Sequence, residues 1–159
     1  MKVPVQPAGL YRPGAMDSDT RLEELKAQAL AAMQQAYAPY SGFRVGAAVE
    51  TADGRIHRGC NVENASFPVT LCAERVALGS AVAAGERDIR RVFIVSSSAV
   101  PIAPCGVCRQ ALAEFGADAE VVSEGADGRR VAWRLGDLLP ERFTLGERDD
   151  GRVTGDVPR

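Results

Sequence analysis

Histidine is almost absent from this chain: among 159 residues there is one, His57. That excludes a zinc site built from several imidazoles and disfavours a serine–histidine hydrolase. A surplus of positive charge is missing too. Nineteen Lys and Arg stand against 21 Asp and Glu, a net charge of −2, with the basic residues scattered among the acids. A protein that grips a polynucleotide normally shows a basic face, because neutralised phosphates supply much of the affinity. A small neutral ligand suits this balance better, and no nucleic-acid polymer is expected as a partner. No apolar run approaches the roughly 18 residues of a membrane-spanning helix, so no membrane is expected either. Met1 to Ala15 carries three prolines and no continuous hydrophobic stretch, unlike a secretory signal. The expected location is the cytoplasm, where the four cysteines stay reduced. At their spacings, reduced thiols suggest metal or catalysis before disulfides.

What is present suits one globular domain. A 46% apolar and 25% charged composition can bury a core without disulfides or a structural metal. Residues 1–16 read as an irregular extension, 17–143 as the domain, and 144–159 as a flexible C-terminal tail. A helix is expected over Asp17 to Tyr37, capped by Ser18 or Asp19, with Leu22, Leu25, Ala29, Met33 and Ala36 on one face and Pro39 ending it. Val45 to Thr51 reads as a strand, Asp53-Gly54 as a tight turn and Arg55 to Gly59 as its hairpin partner. After a polar stretch from Asn61 to Val69, Thr70 is placed to cap a helix running to Ala84 and stopped by Gly85. A buried strand over Arg91 to Ser97 precedes a helix from Cys105 to Phe115. Strands near Ala119–Ser123 and Arg129–Leu135 follow, then a short turn capped by Asp137. This order implies an α/β domain, one sheet of about five strands with helices on its faces.

The chemistry lies in Cys72-Ala73-Glu74 and Pro104-Cys105-Gly106-Val107-Cys108. Cys72, Cys105 and Cys108 can hold one zinc, leaving the fourth tetrahedral position for water, which separates a catalytic site from a closed structural one. Both groups fall at expected helix starts, where the macrodipole and unpaired N–H groups favour thiolates. Cys105 and Cys108, three apart, share a helical face. Three thiolates on a dication leave a net negative charge that opposes acidification of bound water, and Arg75 beside the cluster can offset part of it. Glu74 can move the water's proton. Other readings stay open. The Cys-x-x-Cys pair is also a redox-dithiol pattern, though nothing thioredoxin-like surrounds it. Cys60 is a candidate fourth sulfur for a sealed structural zinc in an interaction module, but it fits better as an ordinary thiol at a strand end. His57 reads as a solvated strand residue, and Ser96-Ser97-Ser98 as a strand end, not a nucleophile.

These motifs resemble the small, homotetrameric cytidine deaminases. The likeness runs through Ala38-Pro39-Tyr40-Ser41-Gly42-Phe43-Arg44-Val45-Gly46-Ala47-Ala48, Gly59-Cys60-Asn61-Val62-Glu63-Asn64-Ala65-Ser66, Cys72-Ala73-Glu74-Arg75 and Pro104-Cys105-Gly106-Val107-Cys108-Arg109-Gln110, ending with Leu138-Leu139-Pro140-Glu141-Arg142-Phe143. The resemblance implies a three-layer α-β-α sandwich with a mixed sheet. It also implies hydrolytic deamination of free cytidine and 2′-deoxycytidine in pyrimidine salvage, with one zinc per subunit on Cys72, Cys105 and Cys108 and with Glu74 as proton shuttle. By the same resemblance, Asn61 and Glu63 bind the ribose 3′-hydroxyl, Phe43 packs on the pyrimidine, and the Ala73 N–H binds the base carbonyl. Ala65, Phe67 and Phe143 reach a neighbouring subunit's site, so the active sites of a homotetramer are shared. Blasticidin-type nucleoside deaminases share the zinc motifs and give the alternative substrate, another aminopyrimidine nucleoside such as blasticidin S. Polynucleotide deaminases resemble His-Ala-Glu at the first motif, so Cys72 counts against them. Gly42 departs from the larger polar residue of many relatives.

Overall fold

The computed structural model of the protein describes residues 17–144, so the expected extension at 1–16 and all but the first residue of the expected tail lie outside the described residues. The elements are α1 (Asp17–Met33), β1 (Val45–Thr51), β2 (Ile56–Cys60), a 3₁₀ turn (Phe67–Val69), α2 (Ala73–Ala83), β3 (Ile89–Ser96), α3 (Gly106–Ala113), β4 (Glu120–Glu124), β5 (Arg130–Arg134) and α4 (Leu135–Leu138). The five strands form one mixed sheet in the order β2-β1-β3-β4-β5, with β3 and β4 parallel and all other neighbours antiparallel. β2 and β3 each run against the β1 strand between them, so they point the same way. Helices α2 and α3 follow those two strands on one face and therefore start at the same edge of the sheet.

Side chains alternate across the pleat to build two cores. Val45, Ala47, Val49, Val92, Ile94 and Val121 meet Ala73, Ala77, Ala81 and Leu112 of α2 and α3. On the other face Ala48, Phe93, Val95 and Val122 meet Leu22, Leu25 and Ala29 of α1. The result is the three-layer sandwich, with β1 buried on both sides. Small residues set the spacing. A Cβ on Gly59 would lie 2.3 Å from the Ala77 backbone nitrogen, so only glycine lets α2 sit this close to β2.

Charges are buried on the α1 face in matched pairs. Glu50, Arg91 and Glu120 are registered neighbours on β1, β3 and β4. Arg91 donates to Glu50 at 2.9 Å and to Glu120 at 2.7 Å, while Arg21 of α1 reaches Glu50 at 2.7 Å. Beside them Glu124 accepts from Lys26 and from Arg130, each at 2.6 Å. No helix among the described residues is long and apolar enough to cross a membrane.

Several expected boundaries move, each for a tertiary reason. Helix α1 stops at Met33, not Tyr37, because the chain unwinds through tight turns at Gln35 and Ala36 and Tyr37 pairs with residues 61–63. Thr70 does not cap α2: its hydroxyl accepts from the Asn64 N–H, Leu71 pairs with Val62, and Cys72 becomes the N-cap. The hairpin partner is shifted by one residue, to Ile56–Cys60, and β3 starts two residues earlier, at Ile89. Arg134, not Asp137, precedes the last helical turn. His57 lies on β2 as expected and is half-buried: its Nε2 is shielded from water with no hydrogen-bond partner among the described residues, since that strand lies close under α2.

Candidate active site

Cys72 and Cys105 are the N-caps of α2 and α3. Both have extended backbones (φ −73°, ψ 152° and φ −67°, ψ 164°), and neither side chain caps a backbone N–H of its own helix. Their sulfurs are thus free to face one another across the shared sheet edge. The Cys72 and Cys105 Sγ atoms are 3.9 Å apart, Cys105 and Cys108 3.5 Å, and all three lie within 4.8 Å of one another. Three sulfurs at about 2.3 Å from one tetrahedral ion would stand about 3.8 Å apart, so the donor set fits zinc. Cys60 is not in the cluster, which removes the sealed four-sulfur arrangement. Cys108 is buried, Cys72 half-buried and Cys105 exposed, so the cluster opens to solvent on the Cys105 side.

Electrostatics favour one thiolate before the others. The Cys72 thiol is pulled down to about 5 by the hydrogen bond that Cys108 gives it, then by Cys105 and Arg75, against the cost of burial. Cys108 moves the other way, held protonated by that same bond to Cys72, by burial and by the charge of Glu74. Three adjacent thiols cannot all ionise unaided, whereas a dication draws protons from each. The Arg75 guanidinium lies against this cluster, with Nη2 donating to the Thr70 carbonyl at 2.8 Å.

Glu74 sits on the first turn of α2 and is 5% exposed. Burial raises its carboxyl pKa, and the negative charge of Cys72 adds to the rise. Its own backbone N–H, the Cys108 thiol and Arg75 oppose it. A carboxyl shifted upward beside a metal-donating cluster is suited to taking and returning a proton. Ala73 begins the same helix, so its N–H has no acceptor within the helix.

A second group of expected residues meets beside Cys72. Val62 bridges to Tyr37 on one side and to Leu71 on the other, tying residues 61–63 between two segments. Asn61 and Glu63, on either side of Val62, both face the 38–44 loop. Asn61 is buried: its Nδ2 donates to the Phe43 carbonyl at 2.8 Å and its Oδ1 accepts from the Val45 N–H at 2.8 Å. Glu63 Oε2 accepts from the backbone N–H groups of Tyr40 at 2.8 Å and Ser41 at 3.2 Å, and Oε1 accepts from the Ser41 hydroxyl. Those bonds, led by Ser41, hold the Glu63 carboxyl below the usual range. Phe43 is partly exposed on this loop.

Ala65, Phe67 and Phe143 are not gathered inward with the others. Phe67 is 79% and Phe143 68% exposed. Phe143 is nevertheless fixed to α3: the Gln110 side-chain amide donates to its carbonyl at 2.9 Å and accepts from its N–H at 3.1 Å. Sequence reasoning missed both Ser41 and Gln110, whose partners lie 22 and 33 positions away. A serine before a turn glycine was the one local signal for Ser41. A cavity of about 630 Å³ lies elsewhere, where α2 and α3 end, lined by Asp53, Glu86, Asp88 and Glu114 among others.

Comparison with known proteins adds the following. Residues 19–124 match the cytidine and deoxycytidylate deaminase zinc-binding region. Cytidine deaminase of Halalkalibacterium halodurans is 42% identical over 124 residues, covering 77% of this chain and 94% of that protein. The crystal structure of cytidine deaminase from Burkholderia pseudomallei is 48% identical and superposes with a TM-score of 0.73, over 76% of this chain and 98% of that one. Blasticidin-S deaminase of Bacillus cereus is 32% identical over 108 residues, 63% of this chain and 76% of that protein.

Proposed function

The chain belongs to the cytidine and deoxycytidylate deaminase family, and on that premise we propose that it hydrolyses free cytidine and 2′-deoxycytidine to uridine and 2′-deoxyuridine, releasing ammonia in pyrimidine salvage. One observation carries this reading: three sulfurs at zinc spacing with the buried Glu74 two residues from Cys72.

Cys72, Cys105 and Cys108 would hold the zinc, one per subunit. When bound, the metal supplies the Lewis acidity that makes water nucleophilic near neutral pH. Glu74 would take a proton from the attacking water and deliver it to ring N3 as the water oxygen bonds C4. It would then take the remaining proton from the new C4 hydroxyl and pass it to the exocyclic amine, so that the C4 carbonyl forms as the C4–N4 bond breaks and ammonia leaves. Arg75 offsets part of the negative charge of the sulfurs. The Ala73 N–H donates to the base carbonyl and Phe43 packs on the ring. Asn61 and Glu63 take the sugar 3′-hydroxyl, a pairing that rejects analogues lacking it far better than shape does.

The protein acts in the cytoplasm as a homotetramer whose subunits exchange Ala65, Phe67 and Phe143 between sites. The exposure of Phe67 and Phe143 supports this, because large apolar side chains left in water mark interaction surfaces. Light scattering should give a tetramer; an active monomer would contradict shared sites. The alternative substrate, another aminopyrimidine nucleoside such as blasticidin S, rests on the more distant likeness to the Bacillus cereus enzyme. Ultraviolet monitoring of metal-quantified protein on cytidine, 2′-deoxycytidine and blasticidin S tests both readings. No turnover of either pyrimidine nucleoside would refute the first.

A further inference from the structure

The loop that carries Phe43 turns through Gly42 at φ +68°, a left-handed conformation that favours glycine and brings Ser41 back over Glu63. The Ser41 hydroxyl makes two bonds there. Its hydroxyl oxygen accepts from the Phe43 backbone N–H at 2.9 Å, and its proton goes to Glu63 Oε1. A hydroxyl has one proton and two lone pairs, so both bonds are satisfied together. The donors that hold the Glu63 carboxylate here are neutral ones, the Tyr40 and Ser41 N–H groups and the Ser41 hydroxyl.

We propose that Ser41 is a positioning residue that sets two substrate-facing groups with one hydroxyl, the ring platform through the Phe43 backbone and the sugar acceptor through the Glu63 carboxylate. This rests on the reading that Glu63 takes the 3′-hydroxyl. The acceptor count supports it. A carboxylate offers about four acceptor sites. Oε2 uses two on the Tyr40 and Ser41 N–H groups and Oε1 uses one on Ser41, so one remains, on Oε1. A sugar hydroxyl bonding there lies beside the Ser41 hydroxyl. The same bond, with the two N–H bonds, shifts the Glu63 carboxyl pKa downward and so favours the charged form, the stronger acceptor. Ser41 thus makes a specificity contact by arrangement, without itself needing to touch the substrate.

The test is steady-state kinetics of zinc-loaded Ser41→Ala, Ser41→Thr and Glu63→Gln on cytidine and on 3′-deoxycytidine, which lacks the hydroxyl. Losing a hydrogen bond to a charged group predicts a roughly ten- to hundredfold rise in KM for cytidine in Ser41→Ala, with kcat and zinc content nearly unchanged. The penalty should shrink at least threefold on 3′-deoxycytidine, and Ser41→Thr should restore most of the cytidine KM. An unchanged cytidine KM in Ser41→Ala, or an equal penalty on both nucleosides while Glu63→Gln still distinguishes them, overturns the role of Ser41. An equal penalty on both nucleosides in Glu63→Gln overturns the underlying sugar-hydroxyl reading instead. The two failures are therefore told apart.

Discussion

Cys72 and Cys105 occupy the same position in two different helices: each is an N-cap, and their sulfurs meet at 3.9 Å. An N-cap is usually a serine, threonine, aspartate or asparagine whose oxygen bonds the helix. Here both helices forgo that bond, and two positive dipole ends point at one place. The cost is local and the gain is a pocket of positive potential for thiolates.

Replacing Cys105 with alanine should therefore remove metal and activity together, as measured by elemental analysis and turnover of the purified variant. The contrasting change is Cys60→Ala. Cys60 stands outside the sulfur cluster, so that variant should keep both its zinc and its rate. Zinc loss from Cys60→Ala would reinstate a four-sulfur site.

Glu74→Gln keeps the size of the side chain and removes its proton chemistry. The fold and zinc content should survive, while kcat falls by roughly three orders of magnitude, since one group serves as both base and acid. A near-normal rate in a fully loaded variant would take Glu74 out of the mechanism.

Gly59→Ala places a methyl group 2.3 Å from the Ala77 backbone nitrogen, against helix backbone that has no rotamer to yield. Either α2 shifts or the strand does. A stability loss of about 1–3 kcal/mol is expected from overpacking. Because α2 begins at the Cys72 cap, activity should fall as well. Chemical denaturation and kinetics on the same preparation check both parts.

Acid stability should depend on Glu124. Burial works to raise its pKa, but hydrogen bonds from Lys26 and Arg130 together outweigh that and hold it below 4.5. A carboxyl depressed in the folded state stabilises above its unfolded value and loses that contribution as pH falls through the folded one. Glu124→Gln should thus lower Tm at pH 7, by roughly 3–8 °C, with the difference from the parent closing as pH drops below about 4.5. A gap that stays constant between pH 7 and pH 3 would contradict the ion-pair account.

The parts of this molecule that obey short-range periodicity were legible. Leu22, Leu25 and Ala29 fall on one helical face and are all buried against the sheet. The strands alternate as a pleat requires, and the gathering of three thiols was recognisable from the Cys72 and Cys105–Cys108 motifs, since Cys105 and Cys108 sit one turn apart. What failed to show was every feature decided by a distant partner. Thr70 has the composition of a cap, yet pairing of Leu71 with Val62 pulled the helix start to Cys72. Tyr37 continues a helical pattern but is captured by residues 61–63. His57 alternates as a solvated strand residue should, and close packing of α2 over its strand shields its Nε2. Ser41 matters through Glu63, and nothing in its immediate neighbours announces that.

The row Glu50–Arg91–Glu120 crosses three strands at matched positions. Were β1 to slide by one residue along β3, Glu50 would turn to the opposite face and Arg91 would lose one of its two carboxylates inside the protein. Leu, Val and Ala tolerate such slippage, since one apolar contact resembles another. The charges do not. They act as a proofreading device for strand alignment, and because β2 leads to Cys72 at the start of α2 while β3 leads to Cys105 at the start of α3, correct alignment is also what brings the sulfurs face to face.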